Sequence, residues 1–279
     1  MLLCCNSRVA RIILNFVESK EIKIKNKAGK KLFCRVEGID PQRRSPSVLV
    51  VHGFKGDSTQ RHIAGISDSL ASLGFLTIRV DLSKNPGKSY LNFPDVTYVQ
   101  ELFDLEDIFG FLLQMPEVDP TRIGIAGHSL GGMLTAELAS KHRAVKSLVI
   151  LSGVYDYRFL ARHLFNKPFD KVQKEFEEKG LSTVWSVHLN RELHVKKSFY
   201  EDVFLRTADK FAAKIKCPTL IVSSGSDESV AQSHADNWLK NIGSQNKKME
   251  IINGSDHNYS GQALDKVCSL VTDWFTKTL

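Results

Sequence analysis

Long apolar runs are missing from this chain of 279 residues. A helix that crosses a bilayer needs about 20 apolar residues in a row, so the sequence predicts no transmembrane segment. Metal-binding cysteine pairs are missing as well, because none of the five cysteines forms a C-x-x-C motif. The odd number of cysteines favours reduced thiols, so we expect a cytoplasmic protein in a reducing compartment.

The amino end also lacks the charged region, apolar run and cleavage site of a secretory signal. Within residues 1–18, however, apolar side chains recur at helical spacing beside Arg8 and Arg11. One alternative is therefore a helix at a membrane surface, acylated on Cys4 or Cys5. We prefer a helix packed on the body of the protein, or a frayed end.

Positive charge is in excess, with a net charge of +7, but it is confined to one region. Residues 1–47 hold eleven Lys and Arg against four Asp and Glu, and the remaining residues hold 27 of each sign. The neutral main body disfavours a nucleic-acid partner. In residues 21–32, lysines alternate with apolar residues around a glycine, which predicts a β-hairpin at a sheet edge with its lysines facing water.

Apolar strands and amphipathic helices alternate along most of the chain. The predicted strands are residues 48–51, 75–80, 122–126, 147–151, 219–223 and 248–252, and the predicted helices are residues 58–73, 96–115, 131–142, 230–242 and 262–277. Strands that are apolar throughout are buried on both faces, as in a parallel sheet covered by helices. The alternation predicts a doubly wound α/β domain with a mostly parallel sheet.

The alternation stops in residues 155–215, where we predict helices and no strand. This segment contains eleven of the 25 aromatic residues, more rings than so small a unit can bury alone, so some of them should face the body. We therefore predict a core formed by residues 1–154 and 216–279, with an inserted helical cap, or lid, of residues 155–215.

The motif Gly127-His128-Ser129-Leu130-Gly131-Gly132 follows a predicted strand and opens a predicted helix. Such a turn holds its serine in a strained backbone and exposes the hydroxyl at the carboxyl edge of the sheet, above the positive end of the helix. This context predicts that Ser129 is a nucleophile. The alternative is a glycine-rich helix start that binds an anion.

A serine hydroxyl needs a base, and the base needs a carboxylate to orient it. His257 follows the last predicted strand and Asp227 follows the strand before it, so both should lie at the same edge as Ser129. Glu228 is the adjacent rival for the acid. The turn His52-Gly53 ends the first parallel strand, and we predict that the backbone N–H groups of Phe54 and Leu130 form an oxyanion hole. This chemistry requires no metal and no cofactor.

Together these motifs resemble the α/β-hydrolase superfamily over residues 20–277, and the order Ser129, Asp227, His257 agrees with the order of its triads. The two-glycine turn, the strand before the acid and the mid-chain insertion are similar to the feruloyl and cinnamoyl esterase branch, whose neighbours include serine aminopeptidases and monoacylglycerol lipases. One departure is the loop of residues 81–89, which is longer than the family's usual loop and lacks one of its glycines.

The resemblance implies a serine hydrolase that cleaves carboxylic esters of short-chain or aromatic acids through an acyl-enzyme, with a small-molecule ester as its partner. Three alternatives stay open: a serine aminopeptidase, a monoacylglycerol lipase or thioesterase, and a non-catalytic binding protein on the same fold. An aminopeptidase should place an unpaired Asp or Glu near the pocket. The sequence gives no indication of the oligomeric state.

Overall fold

A computed structural model describes residues 19–89, 92–160, 164–165, 167–203 and 205–279 of the chain. The strands are β1 (Ser19–Lys25), β2 (Lys31–Glu37), β3 (Ser45–Val51), β4 (Leu76–Asp81), β5 (Val118–His128), β6 (Val145–Leu151), β7 (Leu181–Ser186), β8 (Arg191–Lys196), β9 (Thr219–Ser224) and β10 (Lys247–Ile252). The helices are α1 (Arg61–Ser72), α2 (Tyr98–Leu112), α3 (Leu130–Lys141), α4 (Phe169–Lys179), α5 (Lys197–Val203), α6 (Gln232–Asn241) and α7 (Gln262–Thr278).

Eight of these strands form one sheet in the order β1-β2-β4-β3-β5-β6-β9-β10. β2 pairs antiparallel with β1 and with β4, and all the other neighbours in the sheet pair parallel. The sheet is therefore mostly parallel, with the helices between its strands, and the predicted α/β class is confirmed.

Two clusters of buried apolar side chains cover the two faces of the sheet. On one face, Ile66 and Leu70 of α1 pack with Val271 and Phe275 of α7. On the other face, α2, α3 and α6 contribute to the larger cluster, which includes Trp238 of α6. Because both faces are covered, the central strands are buried on both sides, and this explains why their sequences are mostly apolar.

The predicted edge hairpin is present, since β1 is the outermost of the described strands of the sheet and pairs antiparallel with β2. Lys20, Lys23 and Lys25 of β1 are exposed, while Ile24 between them is buried. Charged side chains on an outer strand discourage pairing with other chains.

The insertion departs from our prediction, which was wrong in allowing it no strand. β7 and β8 pair antiparallel as a separate two-stranded hairpin, beside α4 and α5. In β7 the buried positions are Ser182, Val184 and Ser186, whereas Leu181 and Trp185 are 41% and 52% exposed. Small polar residues thus face inward and large apolar residues face outward, which reverses the pattern by which a half-buried strand is recognised.

Within the described residues, no helix is both long enough and apolar enough to span a bilayer. Cys34, Cys217 and Cys268 are free thiols. The helix predicted in residues 1–18, with Cys4 and Cys5, lies outside the described residues.

Candidate active site

Ser129 lies in the tight turn between β5 and α3. Its backbone has φ 56° and ψ −118°, a conformation that side chains rarely adopt and that is found mainly where function requires it. The backbone around the turn is packed so closely that two positions require glycine. A methyl group on Gly131 would lie 2.3 Å from the carbonyl oxygen of His52. A methyl group on Gly53 would lie 2.8 Å from Cβ of Ser129. These contacts press the loop after β3 against the serine turn.

His257 and Asp227 meet at the same edge of the sheet. Nδ1 of His257 lies 2.8 Å from Oδ2 of Asp227, and the Asp227 side chain is only 2% exposed. A carboxylate can only accept, so Nδ1 carries the proton and Nε2 is left with a lone pair. The rival acid Glu228 is exposed to solvent.

The environment of Asp227 keeps its carboxyl ionised. Burial by itself would raise the pKa of Asp227, but the hydrogen bond from His257 and the backbone N–H groups of Val230 and Ser229 outweigh it and hold the pKa below its usual value. Both N–H groups lie 2.8 Å from Oδ1. A fixed anion at this position can support an imidazolium on His257.

Ser129 and His257 line one cavity of about 800 Å³. Within the described part of the chain, the Ser129 hydroxyl makes no hydrogen bond to His257. Serine–histidine contacts are often long in enzymes without substrate and shorten when substrate binds. The insertion contributes to the wall of this cavity through Tyr157, Leu164 and the turn between β7 and β8.

The loop after β3, which carries Phe54, is held at two points. The Leu82 N–H donates to Nε2 of His52 at 3.1 Å, so the His52 proton is on Nδ1, which donates to the Gly53 carbonyl at 2.8 Å. On the other side of Phe54, the Lys55 N–H donates to Oδ1 of Asn85 at 3.0 Å. Lys55 has φ 62°, so this bond stabilises a left-handed residue next to the predicted oxyanion donor.

Asn85 belongs to the loop 81–89, the segment that departs from the family pattern. It is fully buried, and its amide donates to Oε1 of Glu101 in α2. Burial raises the pKa of Glu101 to about 8, because this carboxyl has little solvent to stabilise its charge. Through Asn85, the loop 81–89 thus connects the Phe54 loop to the buried Glu101 of α2.

Two further histidines pack behind His257. The ring of His128 lies 4.6 Å from that of His257 and 4.2 Å from that of His62, and Nε2 of His128 lies 2.8 Å from the backbone carbonyl of His257, to which it donates. Burial lowers the pKa of His62 to about 3 and that of His128 well below its usual value. His128 thus holds the backbone of His257, and His62 packs against His128 from behind, contacts that the sequence did not reveal.

Among the described residues, two polar bonds connect the insertion to the Phe54 loop. Nε2 of His188, in the turn between β7 and β8, lies 2.8 Å from Oδ2 of Asp57. The Lys55 ammonium donates to the Trp185 carbonyl at 2.8 Å. Neither contact could be predicted from the sequence, because each joins residues about 130 positions apart.

In the regions that the structure describes, no three His, Cys, Asp or Glu residues are grouped in a way that could hold a metal ion.

Residues 67–279 match the sequence model of the prolyl oligopeptidase family. The chain belongs to this family. The match covers more than half of the chain and includes Ser129, Asp227 and His257, whereas the loop that carries Phe54 precedes it.

Individual relatives agree with this assignment. The chain is 24% identical over 216 residues to the thermostable monoacylglycerol lipase of Bacillus sp. (strain H-257), covering 75% of this chain and 82% of the lipase. It is also 24% identical over 262 residues to esterase EstD of Thermotoga maritima, covering 86% of this chain and 60% of EstD. Among solved structures, Est1E of Butyrivibrio proteoclasticus with bound ferulic acid superposes with a TM-score of 0.79 and 25% identity, covering 92% of this chain and 98% of Est1E. The fold is that of the α/β hydrolases, and the resemblance to the superfamily and its esterase branch is confirmed.

Proposed function

We propose that this protein is a serine esterase that hydrolyses carboxylic esters through an acyl-enzyme. The observation that carries the proposal is the hydrogen-bonded pair of His257 and Asp227 in the wall of the cavity that Ser129 also lines. A non-catalytic protein on this fold would have no need of a strained serine beside an oriented imidazole.

In the proposed reaction, the Ser129 hydroxyl attacks the ester carbonyl while Nε2 of His257 takes its proton. Asp227 stabilises the imidazolium, and the N–H groups of Phe54 and Leu130 donate to the oxyanion. The N–H of Leu130 is available because the first amides of a helix have no partner within the helix. His257 then gives its proton to the leaving alcohol, and a water molecule activated by His257 releases the acid.

The lining of the cavity supports an ester with a flat or short acyl group. Phe54 and Tyr157 supply aromatic rings, and Leu164, Val187 and Leu264 supply apolar surface. Ferulic acid, which is bound in Est1E, is an aromatic acid, and a monoacylglycerol lipase is also among the relatives. We therefore propose aromatic and short-chain acyl esters as substrates, with monoacylglycerols as the second candidate.

The aminopeptidase alternative loses support at this cavity. A free amino terminus has to be bound by a carboxylate, and no Asp or Glu is among the described residues that line the cavity. The nearby carboxylates of Asp57 and Asp227 are each already bonded to a histidine.

A direct test compares Ser129→Ala with the unmodified chain on p-nitrophenyl acetate, butyrate and decanoate and on a feruloyl ester. Turnover and labelling by a fluorophosphonate probe should both disappear, because the nucleophile is gone. Ser140→Ala is the matched control, since Ser140 lies at the other end of the same helix and donates to the Glu137 carbonyl. Labelling that persists in folded Ser129→Ala would refute the proposal.

A further inference from the structure

Among the described residues, the Lys, Arg, Asp and Glu side chains that line the cavity are all cationic. Lys55 and Arg61 are cationic residues that line the cavity, and no acidic side chain among the described residues lines it with them. Asp57 and Asp227, which bond to the lining histidines His188 and His257, are engaged by those bonds. A ligand in this cavity therefore meets positive charge that no carboxylate of the wall neutralises.

Lys55 is the better placed of the two cations. It directly follows Phe54, and its ammonium donates at 2.8 Å to the Trp185 carbonyl. Within the described residues it has no ion-pair partner, although it is partly buried. Burial lowers the pKa of Lys55 to about 8, since the charged form has lost water without gaining an anion.

The geometry of Lys55 leaves donors free for a ligand. An ammonium has three N–H groups, and the Trp185 carbonyl occupies one of them. Arg61, at the first position of α1, is exposed and forms no ion pair within the described residues. A partly buried cation without a counter-charge is costly in free energy, and an anionic group of the ligand would remove that cost.

We propose that Lys55, assisted by Arg61, binds a carboxylate carried by the substrate, so that the preferred esters are acidic: half-esters of dicarboxylic acids, or esters of hydroxy acids with a free carboxyl group. This inference rests on the proposed esterase function and adds the charge of the substrate to it. Lys55 is in this view a specificity-determining residue.

The test uses pairs of esters that differ only in charge. One pair carries the charge on the acyl side: the p-nitrophenyl half-ester of glutaric acid and the corresponding ester of its monoamide. The second pair carries it on the alcohol side: butyrate esters of 4-hydroxybenzoic acid and of 4-hydroxybenzamide. For the unmodified chain we expect kcat/KM to favour the acidic member of at least one pair by about tenfold or more, chiefly through KM.

Lys55→Gln separates charge recognition from the contact with the insertion. A glutamine amide can still donate to the Trp185 carbonyl but carries no charge. The acidic-to-neutral ratio of kcat/KM should fall about tenfold in Lys55→Gln and should be kept in Lys55→Arg. Lys146→Gln is the control, because Lys146 is an exposed lysine that also donates to a backbone carbonyl, that of Arg143.

The outcomes separate the inference from the function on which it rests. Equal turnover of both members of both pairs, or a ratio that is the same in Lys55→Gln as in the unmodified chain, would overturn the role of Lys55 and leave the esterase proposal standing. If neither the neutral nor the acidic esters were hydrolysed by the folded chain, the esterase function itself would fail.

Discussion

At the scale of single residues, burial distinguishes His257 from the other histidines near Ser129. His52, His62 and His128 are almost completely buried, and burial lowers the pKa of each below its usual value. His257 differs in two respects: its side chain is 19% exposed toward the cavity, and it has Asp227 as its partner. A buried neutral ring can position its neighbours, whereas a base has to reach the substrate and carry charge for a moment.

The adjacent acids Asp227 and Glu228 give a matched pair of variants. Asp227→Asn should lower kcat for p-nitrophenyl butyrate by about 10³ to 10⁴-fold, because the amide cannot hold the imidazole in the same tautomer or stabilise its charged form. Glu228→Gln should stay within about twofold of the unmodified chain, since Glu228 is exposed. Steady-state kinetics on both variants measure the contrast, and the reverse result would exchange the two roles.

At the scale of elements, the loop 81–89 acts as a support for the loop that carries Phe54. Asp81 accepts from the Ser58 N–H and from the Lys88 N–H, both at 2.7 Å, and so joins the two loops. Asn85 adds the bond to the Lys55 N–H. The extra length that separates this loop from the family pattern thus places a buried amide where it can fix a predicted oxyanion donor.

Asn85→Ala tests that support. Without the amide of Asn85, the backbone N–H of the left-handed Lys55 loses its hydrogen bond, so the neighbouring Phe54 N–H should point less accurately at the oxyanion. We expect kcat to fall by about 10- to 100-fold with little change in KM. Ser83→Ala is the matched variant in the same loop, because Ser83 bonds to Asp104 and not to the Phe54 loop.

Equal losses of kcat in the two variants would mean that the loop 81–89 acts through general stability alone. Circular dichroism of both proteins, recorded at the assay temperature, would establish that each is folded.

The elements that could be predicted from sequence are those in which the pattern of apolar and polar residues matches the burial of those residues. β3, β6 and β9 are mostly apolar because both faces of the sheet are covered. Ser129, Asp227 and His257 follow strands that end at one edge of the sheet. β7 could not be recognised, since its inward residues are mostly serines. The partners Asn85, His128 and His188 could not be found either, because their roles depend on contacts between distant segments.

At the scale of the whole molecule, one buried ion pair joins the antiparallel strand to the parallel sheet. Glu37 of β2 and Arg79 of β4 are 3% and 4% exposed, and the guanidinium binds the carboxylate through two nitrogens. Ser67 of α1 also donates to this carboxylate. The pair therefore connects the antiparallel end of the sheet to α1.

Arg79→Met should lower the free energy of unfolding by about 3–5 kcal/mol, because it leaves a buried carboxylate without its counter-charge. The double variant Glu37→Gln, Arg79→Met should recover part of this loss, since an amide is less costly to bury than an unpaired charge. Urea unfolding followed by fluorescence measures both values. A double variant that is no more stable than Arg79→Met would contradict this account of the pair.

The hairpin of β7 and β8 rests on the same short loop that supplies the Phe54 amide, through the pairs His188–Asp57 and Lys55–Trp185. Lys55 and Asp57 both follow Phe54 in that loop, so a substitution that shifts the hairpin should also change the backbone next to this amide. A change in the turn between β7 and β8 should therefore alter the aim of the Phe54 N–H as well as the shape of the cavity wall.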